Sequence, residues 1–381
     1  MRGPPGVLDE EPTMRIAIIA PPWVPVPPPA YGGTEAVLDA LAAGLQAVGH
    51  DVLLYATGDS TCQVPTAWTL PSAVGTVGIV PATEINHVVH AYAAVHNWGA
   101  DVVHDHTLVG PLYANRFPVP VVTTNHGPFD GELGPYYRVI GPTVPIVAIS
   151  HHQASTAQGT PIAAVIHHGL DTAAHQVGEG RGGYALFLGR MTPEKGVDVA
   201  ARVARAAGLP LKIAAKRREP AEQAYFDQAV APLLGCGVEY LGEVGGTEKI
   251  QLLGDALCLL NPVQWPEPFG MVMIEALACG TPVVATPCGS VPEIVDDRVT
   301  GFVRTTEAGL IDALHHVGEI DRALCRRSAD ERFTAARMVT EHLSLYRHLS
   351  RRDLLQVRIR GRTSARRPLR APGTSSSRQL R

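Results

Sequence analysis

Short runs of uninterrupted apolar residues alternate with longer segments of helical period along most of this chain. The first run, RIAIIA (15–20), is apolar after its leading arginine and reads as a strand buried on both faces. TEAVLDALAAGLQAVG (34–49) then places Val37, Leu38, Leu41 and Leu45 on one helical face, with Gly49 as the stop. DVLLYAT (51–57) is the next strand, a helix is expected near 84–97, and DVVH (101–104), VPVVTTN (119–125) and VPIVAIS (144–150) read as further strands. Alternation of this kind builds a parallel sheet covered by helices on both faces.

The alternation breaks at DTAAHQVGEGRGG (171–183), a polar, glycine-rich segment that reads as a flexible linker. It restarts with YALFLG (184–189), LKIAA (211–215), VEYLG (238–242), ALCLLNP (256–262) and PVVAT (282–286) as strands. Helices are expected at 196–207, 220–234 and 247–254 and over the run that begins at Met271. The predicted organisation is an N-terminal α/β domain over 14–172, a linker over 173–183, and a second α/β domain over 184–330. A helix over 331–350 is expected to pack back on the first domain, and 1–13 and 351–381 to be disordered ends. Two such units joined by one linker face each other across a cleft, into which loops at the carboxyl ends of both sets of strands can point. Gly178-x-Gly180-x-x-Gly183 matches the dinucleotide fingerprint in letters, but it precedes a strand instead of following one and is assigned to the linker.

Composition narrows the class. With 45% hydrophobic and 18% charged residues over 381 positions, the bulk of the chain folds around ample cores. The net charge of −4 is unevenly spread, because residues 351–381 hold ten arginines and one acidic residue, Asp353. A basic end on an acidic body can touch an anionic membrane surface or simply be solvated; it holds no aromatic residue for base stacking, so no nucleic acid is expected. The six cysteines, at 62, 236, 258, 279, 288 and 325, form no C-x-x-C pair, which fits a reducing, cytoplasmic setting, and the basic end adds peripheral contact at the inner membrane face. Residues 1–13 lack the apolar run of a signal peptide, and no segment has the eighteen or so apolar residues of a membrane-spanning helix.

Candidate chemistry gathers at strand ends. Gly32 and Gly33 precede the first helix, where glycine lets a phosphate approach and the helix start offers free N–H groups, although glycine serves plain turns as well. In LGRMTPEKG (188–196), Arg190 follows a strand and Lys195 precedes a helix, which suits a diphosphate; a solvated surface pair is the alternative. Pro266 and Pro268 keep Glu267 in a loop, and eight positions on Glu275 sits in the apolar run MVMIEALA. A carboxylate there needs a partner, either a basic side chain or a ligand rich in hydroxyls such as a ribose. Glu267 and Glu275 flank a helix start that can receive negative charge, and the combination describes a nucleotide-sugar site. His104, Asp105 and His106 have the look of a metal pair, but they can equally line an acceptor site or end a strand, and no Asp-x-Asp pattern is present.

Together these segments resemble glycosyltransferase family 4, the retaining GT-B enzymes. Glu267 and Glu275 within PEPFGMVMIEALACGTPVVAT are similar to its Glu-x7-Glu signature, and GRMTPEKG to its Gly-Arg…Lys-Gly loop. YGGTEAV resembles its N-terminal glycine loop, TTNHG its Thr-x-His-Gly segment, IHHGLD its Asn-Gly-Val-Asp turn, and GSVPEIVDDRVTGFV its later loop. The motifs fall in family order over roughly 14–350; the turn carries His168-Gly169 where the family has Asn-Gly.

The resemblance implies a GT-B fold of two Rossmann-like α/β domains and hexosyl transfer from a UDP-sugar or GDP-sugar to an acceptor hydroxyl with retention, without a metal. It implies that Arg190 and Lys195 hold the donor diphosphate and that Glu275 binds the ribose. Glu267 would contact donor-sugar hydroxyls, helped by the N–H groups of Phe269, Gly270 and Met271. Gly33 would let the N-terminal loop close, and His126 would face the reacting centre. Asp105, His106 and Asp130 are acceptor-side candidates for a small molecule, a glycan or a lipid. An epimerase-like or non-catalytic nucleotide-sugar-binding protein of the same fold is the alternative.

Overall fold

The structure, a computed structural model, describes residues 12–75 and 81–364, with side chains to residue 351. The expectations for 1–11 and for 365–381 lie outside the described residues.

In chain order the first half comprises β1 (Arg15–Ile19), α1 (Gly33–Ala47), β2 (Asp51–Ala56), β3 (Thr66–Trp68), α2 (Pro81–Trp98), β4 (Val102–Asp105), β5 (Val121–Thr124), α3 (Gly134–Ile140), β6 (Ile146–Ala148), α4 (His151–Ser155) and β7 (Ala164–Val165). The strands pair in parallel in the order β3-β2-β1-β4-β5-β6-β7. Successive side chains of a strand point to opposite faces. Ile16, Ile18, Val52 and Leu54 therefore pack beneath α1, while Ala17, Ile19, Leu53 and Tyr55 pack beneath α2. Burial on both faces is why these strands are apolar throughout instead of alternating.

The second half comprises β8 (Ala185–Arg190), α5 (Val197–Ala206), β9 (Leu211–Lys216), α6 (Pro220–Tyr225), β10 (Val238–Gly242), α7 (Gly246–Asp255), β11 (Cys258–Asn261), α8 (Met271–Ala278), β12 (Val283–Ala285), α9 (Val291–Ile294), β13 (Gly301–Val303), α10 (Glu307–His316), α11 (Arg322–Arg332) and α12 (Ala335–Ser364). Its parallel sheet has the order β10-β9-β8-β11-β12-β13. In each sheet the order reverses direction beside the first strand, between β1 and β4 and between β8 and β11. Loops leaving the strand ends at such a point diverge and open a crevice. The chain is α/β with two such sheets, the arrangement that the resemblance implies.

The structure departs from the sequence expectations in three places. The helix expected over 220–234 is α6 followed by a π turn (Phe226–Val230) and a 3-10 turn (Ala231–Leu233), because Pro232 has no N–H to continue the ladder. The last helix does not stop at 350 but runs as α12 to Ser364; RRDLLQVRIR (351–360) holds no proline or glycine to end it. Its buried Met338, Val339, Leu343 and Tyr346 pack on the β1–α1 core, so the chain returns to its first half.

The linker is the third departure, since it is pinned rather than flexible. Gly178 lies so close to Gly254 that a Cβ would come within 2.1 Å of the Gly254 carbonyl oxygen, so only glycine fits. The Gly180 and Gly182 amides donate to the carbonyls of Gly254 and Asp255. The Arg322 guanidinium donates to the carbonyls of Gly178, Ala256 and Gly254 at 2.9–3.0 Å and to Thr281 Oγ1 at 2.8 Å. Arg322→Ala strands several half-buried carbonyls and is expected to destabilise the fold by about 3 kcal/mol in urea unfolding. A change below about 0.5 kcal/mol would show that the linker is held by its glycine packing and backbone hydrogen bonds without Arg322.

Among the described residues no helix is long and apolar enough to cross a membrane. All six cysteines are free.

Candidate active site

One cavity of about 910 Å³ lies between the two sheets. Gly32, Gly33, His126, Arg190, Lys195, Glu267, Phe269, Gly270, Met271 and Glu275 all line it, brought together from the carboxyl ends of β1, β5, β8 and β11 and the loops and helices that follow them. Gly33 sits over the start of α8, where its ideal Cβ position is 3.5 Å from Met271 Cγ. Gly270 caps α8 with φ +85°, a left-handed conformation that turns the proline-bracketed loop into the helix. No side chain caps this end, so its first N–H groups face the cavity with the positive end of the helix dipole.

The carboxylate buried in α8 has a partner. Lys249 of α7 donates to Glu275 Oε1 at 2.7 Å. Glu267, 9% exposed, is held by the Lys195 ammonium and by Trp265 Nε1 at 3.0 Å. Lys216, at the end of β9, donates to Glu219 at 2.7 Å and Glu222 at 3.2 Å, and Arg218 to both oxygens of Glu243 at 2.8 and 2.9 Å. Glu243 in turn accepts the Tyr31 amide at 3.0 Å, tying the N-terminal proline-rich loop to the second half. Five cations thus line the cavity, and only the Arg190 guanidinium donates to no described residue. Sequence reading missed Lys216, Arg218 and Lys249. Lys216 ends a strand, the one local signal that could have found it; Lys249 and Arg218 come near only through tertiary packing.

His126 belongs to a chain of buried imidazoles. His106 Nδ1 and His126 Nε2 share a hydrogen bond at 2.9 Å, and His126 stacks on His168 with ring centres 5.2 Å apart. Behind them His104 contacts Tyr346 Oη at 2.6 Å and Thr124 Oγ1 at 2.8 Å, and its ring lies 5.2 Å from that of His342 on α12. Burial holds His126 and His342 down to about 4 and His104, His106 and His168 well below the ordinary value, reinforced by neighbouring imidazoles at all but His342, where the Arg337 charge adds to it. All five are neutral near pH 7.

The acceptor-side candidates do not converge on the cavity. Asp105 is fully buried, and its carboxylate accepts from Tyr92 Oη at 2.8 Å and from the Thr107 amide and hydroxyl at 2.8 and 2.7 Å. Burial lifts it to about 6 against those bonds, and it braces the turn after β4 instead of facing a ligand. His106 lies behind His126, one ring deeper than expected. Asp130 is exposed, turned outward by the buried Phe129 before it. The ring nitrogens of His104 are engaged by Tyr346 and Thr124, and Asp105 turns elsewhere, so the VHDH segment does not converge on one point.

Three other potential ligands come together elsewhere among the described residues. His151, His167 and Glu293 place donor atoms within 4.8 Å of one another. Glu293 accepts the His151 and His152 amides at the start of α4 and pairs with His167 Nε2 at 2.8 Å. These bonds form a joint between the two halves just outside the cavity lining, where His167 packs against Phe269.

The family described as Glycosyltransferase Family 4 matches residues 31–174, and that described as Glycosyl transferases group 1 matches residues 175–333. The alpha-maltose-1-phosphate synthase of Mycolicibacterium smegmatis is 28% identical, across 88% of this chain and 100% of that protein. The phosphatidyl-myo-inositol mannosyltransferase of Propionibacterium freudenreichii is 27% identical, across 84% and 87%. Among solved structures, AviGT4, a glycosyltransferase involved in Avilamycin A biosynthesis, aligns with a TM-score of 0.66 at 25% identity, covering 88% of this chain and 98% of that one.

Proposed function

Because this chain belongs to the family 4 glycosyltransferases of GT-B fold, we propose that it moves a hexosyl group from a UDP-sugar or GDP-sugar to an acceptor hydroxyl with retention, and that it needs no metal. The observation that carries the reading is Arg190: a guanidinium at a strand end, in a cleft where every other cation already has a carboxylate. An unpaired cation beside an uncapped helix start suits a ligand that brings its own negative charge.

In this reading Arg190 and Lys195 grip the donor diphosphate, Lys195 loosening its hold on Glu267 as it does so. Glu275 holds the ribose, with Lys249 fixing its orientation. Glu267 takes donor-sugar hydroxyls, and the N–H groups of Phe269, Gly270 and Met271 add to the anion site. Gly32 and Gly33 let the loop after β1 lie against the phosphates, and His126 contacts the sugar at the reacting centre. The bond between the anomeric carbon and the β-phosphate oxygen breaks while the acceptor oxygen bonds to that carbon, and the acceptor proton passes to the departing phosphate. Charge growing on the diphosphate meets fixed cations and N–H dipoles, which lower the barrier without reorganisation. That set of positive groups also supports the metal-free reading. The arginine-rich end supports a weak peripheral contact with an anionic membrane face, and the six free cysteines support a reducing compartment.

A thermal-shift titration with UDP, GDP and ADP and their glucose and mannose conjugates, in EDTA, tests this. One base is expected to stabilise the protein by about 2.7 kcal/mol at a hundred times its dissociation constant. Glu275→Ala is expected to abolish that shift and to cost the free protein about 3 kcal/mol, because it leaves the largely buried Lys249 ammonium without its carboxylate. An unchanged nucleotide shift in the variant would remove Glu275 from the site.

A further inference from the structure

The two walls of the cleft differ in charge. All five cations that line it come from the second half of the chain. The wall built by the first half contributes three carboxylates, Glu35, Asp39 and Asp59, and no lysine or arginine. This is a property of the whole first half and not of the lining alone. Between residues 14 and 172 the chain has no lysine and three arginines. Arg15 lies at the amino end of β1, opposite the cleft, stacked over Trp98. Arg116 and Arg138 lie outside the lining, Arg138 bonded to Gln158.

Glu35 is the telling member. It is 6% exposed, it lines the cavity, and apart from its own amide it has no hydrogen-bond or ionic partner among the described residues. Burial pushes its carboxyl up to about 7, so it carries a proton about half the time near neutrality. Asp39, in contact with the Cys62 thiol, follows one turn later on the same face of α1, a like-charge spacing that is unfavourable to both carboxylates. Asp59 is held by Thr57 and by the Ala73 amide and adds to the negative wall. A buried carboxylate aimed into a cavity without a partner is costly until a donor arrives.

Resting on the glycosyl-transfer reading above, we infer that the acceptor is a phosphate-free polyhydroxyl compound, neutral or amine-bearing, whose hydroxyl or ammonium groups are received by Glu35 and Asp39. A phosphorylated acceptor turning its phosphate to this wall meets carboxylates and neutral imidazoles. If it turned the phosphate to the opposite wall, it would compete with the donor diphosphate for Arg190 and Lys195 or have to displace the carboxylates that hold Lys216, Arg218 and Lys249.

Acceptor-dependent nucleotide release tests this on the full chain with the nucleotide-sugar that passes the thermal-shift screen. The panel pairs neutral sugars and polyols with their amine-bearing and phosphate-bearing counterparts, for example glucose, glucosamine and glucose 6-phosphate. Turnover is expected only from phosphate-free members, with kcat/KM at least tenfold above that of the phosphate ester. In Glu35→Gln/Asp39→Asn the amine-bearing member should lose at least tenfold, while the nucleotide-induced thermal shift persists as the check on folding. A phosphate ester that outperforms its parent, or no turnover from any phosphate-free member, overturns the inference while nucleotide binding stands. If no nucleotide binds at all, the transfer reading fails first and takes this inference with it.

Discussion

Arg190→Ala is expected to lower kcat by about 10²- to 10³-fold with little change in stability, the loss typical of removing one group that stabilises transition-state charge. The guanidinium donates to no described residue, so its removal strands no buried partner. Arg190→Lys should recover part of the loss, since a point charge keeps the attraction but not the two-pronged grip on a diphosphate. The readout is single-turnover nucleotide release alongside urea unfolding. Equal loss of turnover and stability would mean that Arg190 is structural. A variant with wild-type turnover would move the diphosphate elsewhere, with Lys216 and Arg218 as the nearest alternatives in the cleft.

Mild acid is expected to unfold the protein steeply. His104, His106, His126, His168 and His342 are buried and neutral, with folded values at about 4 or well below the ordinary 6.5. Below pH 6.5 the unfolded chain takes up protons at all five, and the folded chain does not. Stability due to their neutral burial is therefore lost as pH falls. Glu35 and Asp105 act in the opposite sense: their folded values of about 7 and about 6 exceed the ordinary 4.5 and 3.8, so the folded chain holds two extra protons around pH 5. The difference of about three protons gives a slope of about 4 kcal/mol per pH unit near pH 5. Since domains hold only about 5–15 kcal/mol, unfolding is expected within a few pH units of neutrality. Urea unfolding at pH 7, 6 and 5 measures the slope, and His342→Gln should reduce it by about 1 kcal/mol per pH unit. Equal stability at pH 7 and pH 5 would mean that these imidazoles are hydrated in solution.

Much of the fold and of the cavity lining was legible in the chain. Strands buried on both faces must be apolar throughout, so β1, β2, β4, β5, β8 and β11 announce themselves, and the helices between them impose a parallel sheet. Glu267, Glu275, Arg190 and Lys195 are marked by local context alone: prolines that exclude helix, a carboxylate in an apolar run, cations in a strand-to-helix turn. β3, β7 and β13 were not foreseen, because each is a short edge strand that is not buried throughout and so shows no continuous apolar run.

Other features were decided only by tertiary structure, because they depend on pairs far apart in the chain. That Lys249 answers Glu275 follows from α7 packing beside α8, and that Gly178 pins the linker follows from its contact with Gly254. Spacing could not distinguish an Asp105 that lines a cleft from one that braces a turn, since the answer lay with Tyr92 and Thr107. The row of imidazoles needs His342 to return from the last helix and meet His104 on β4. Local sequence determines the period and the turn, which are set by a residue's near neighbours. Which side chains face one another, and whether a charge finds a partner, depends on distance through space, and only the folded chain sets that.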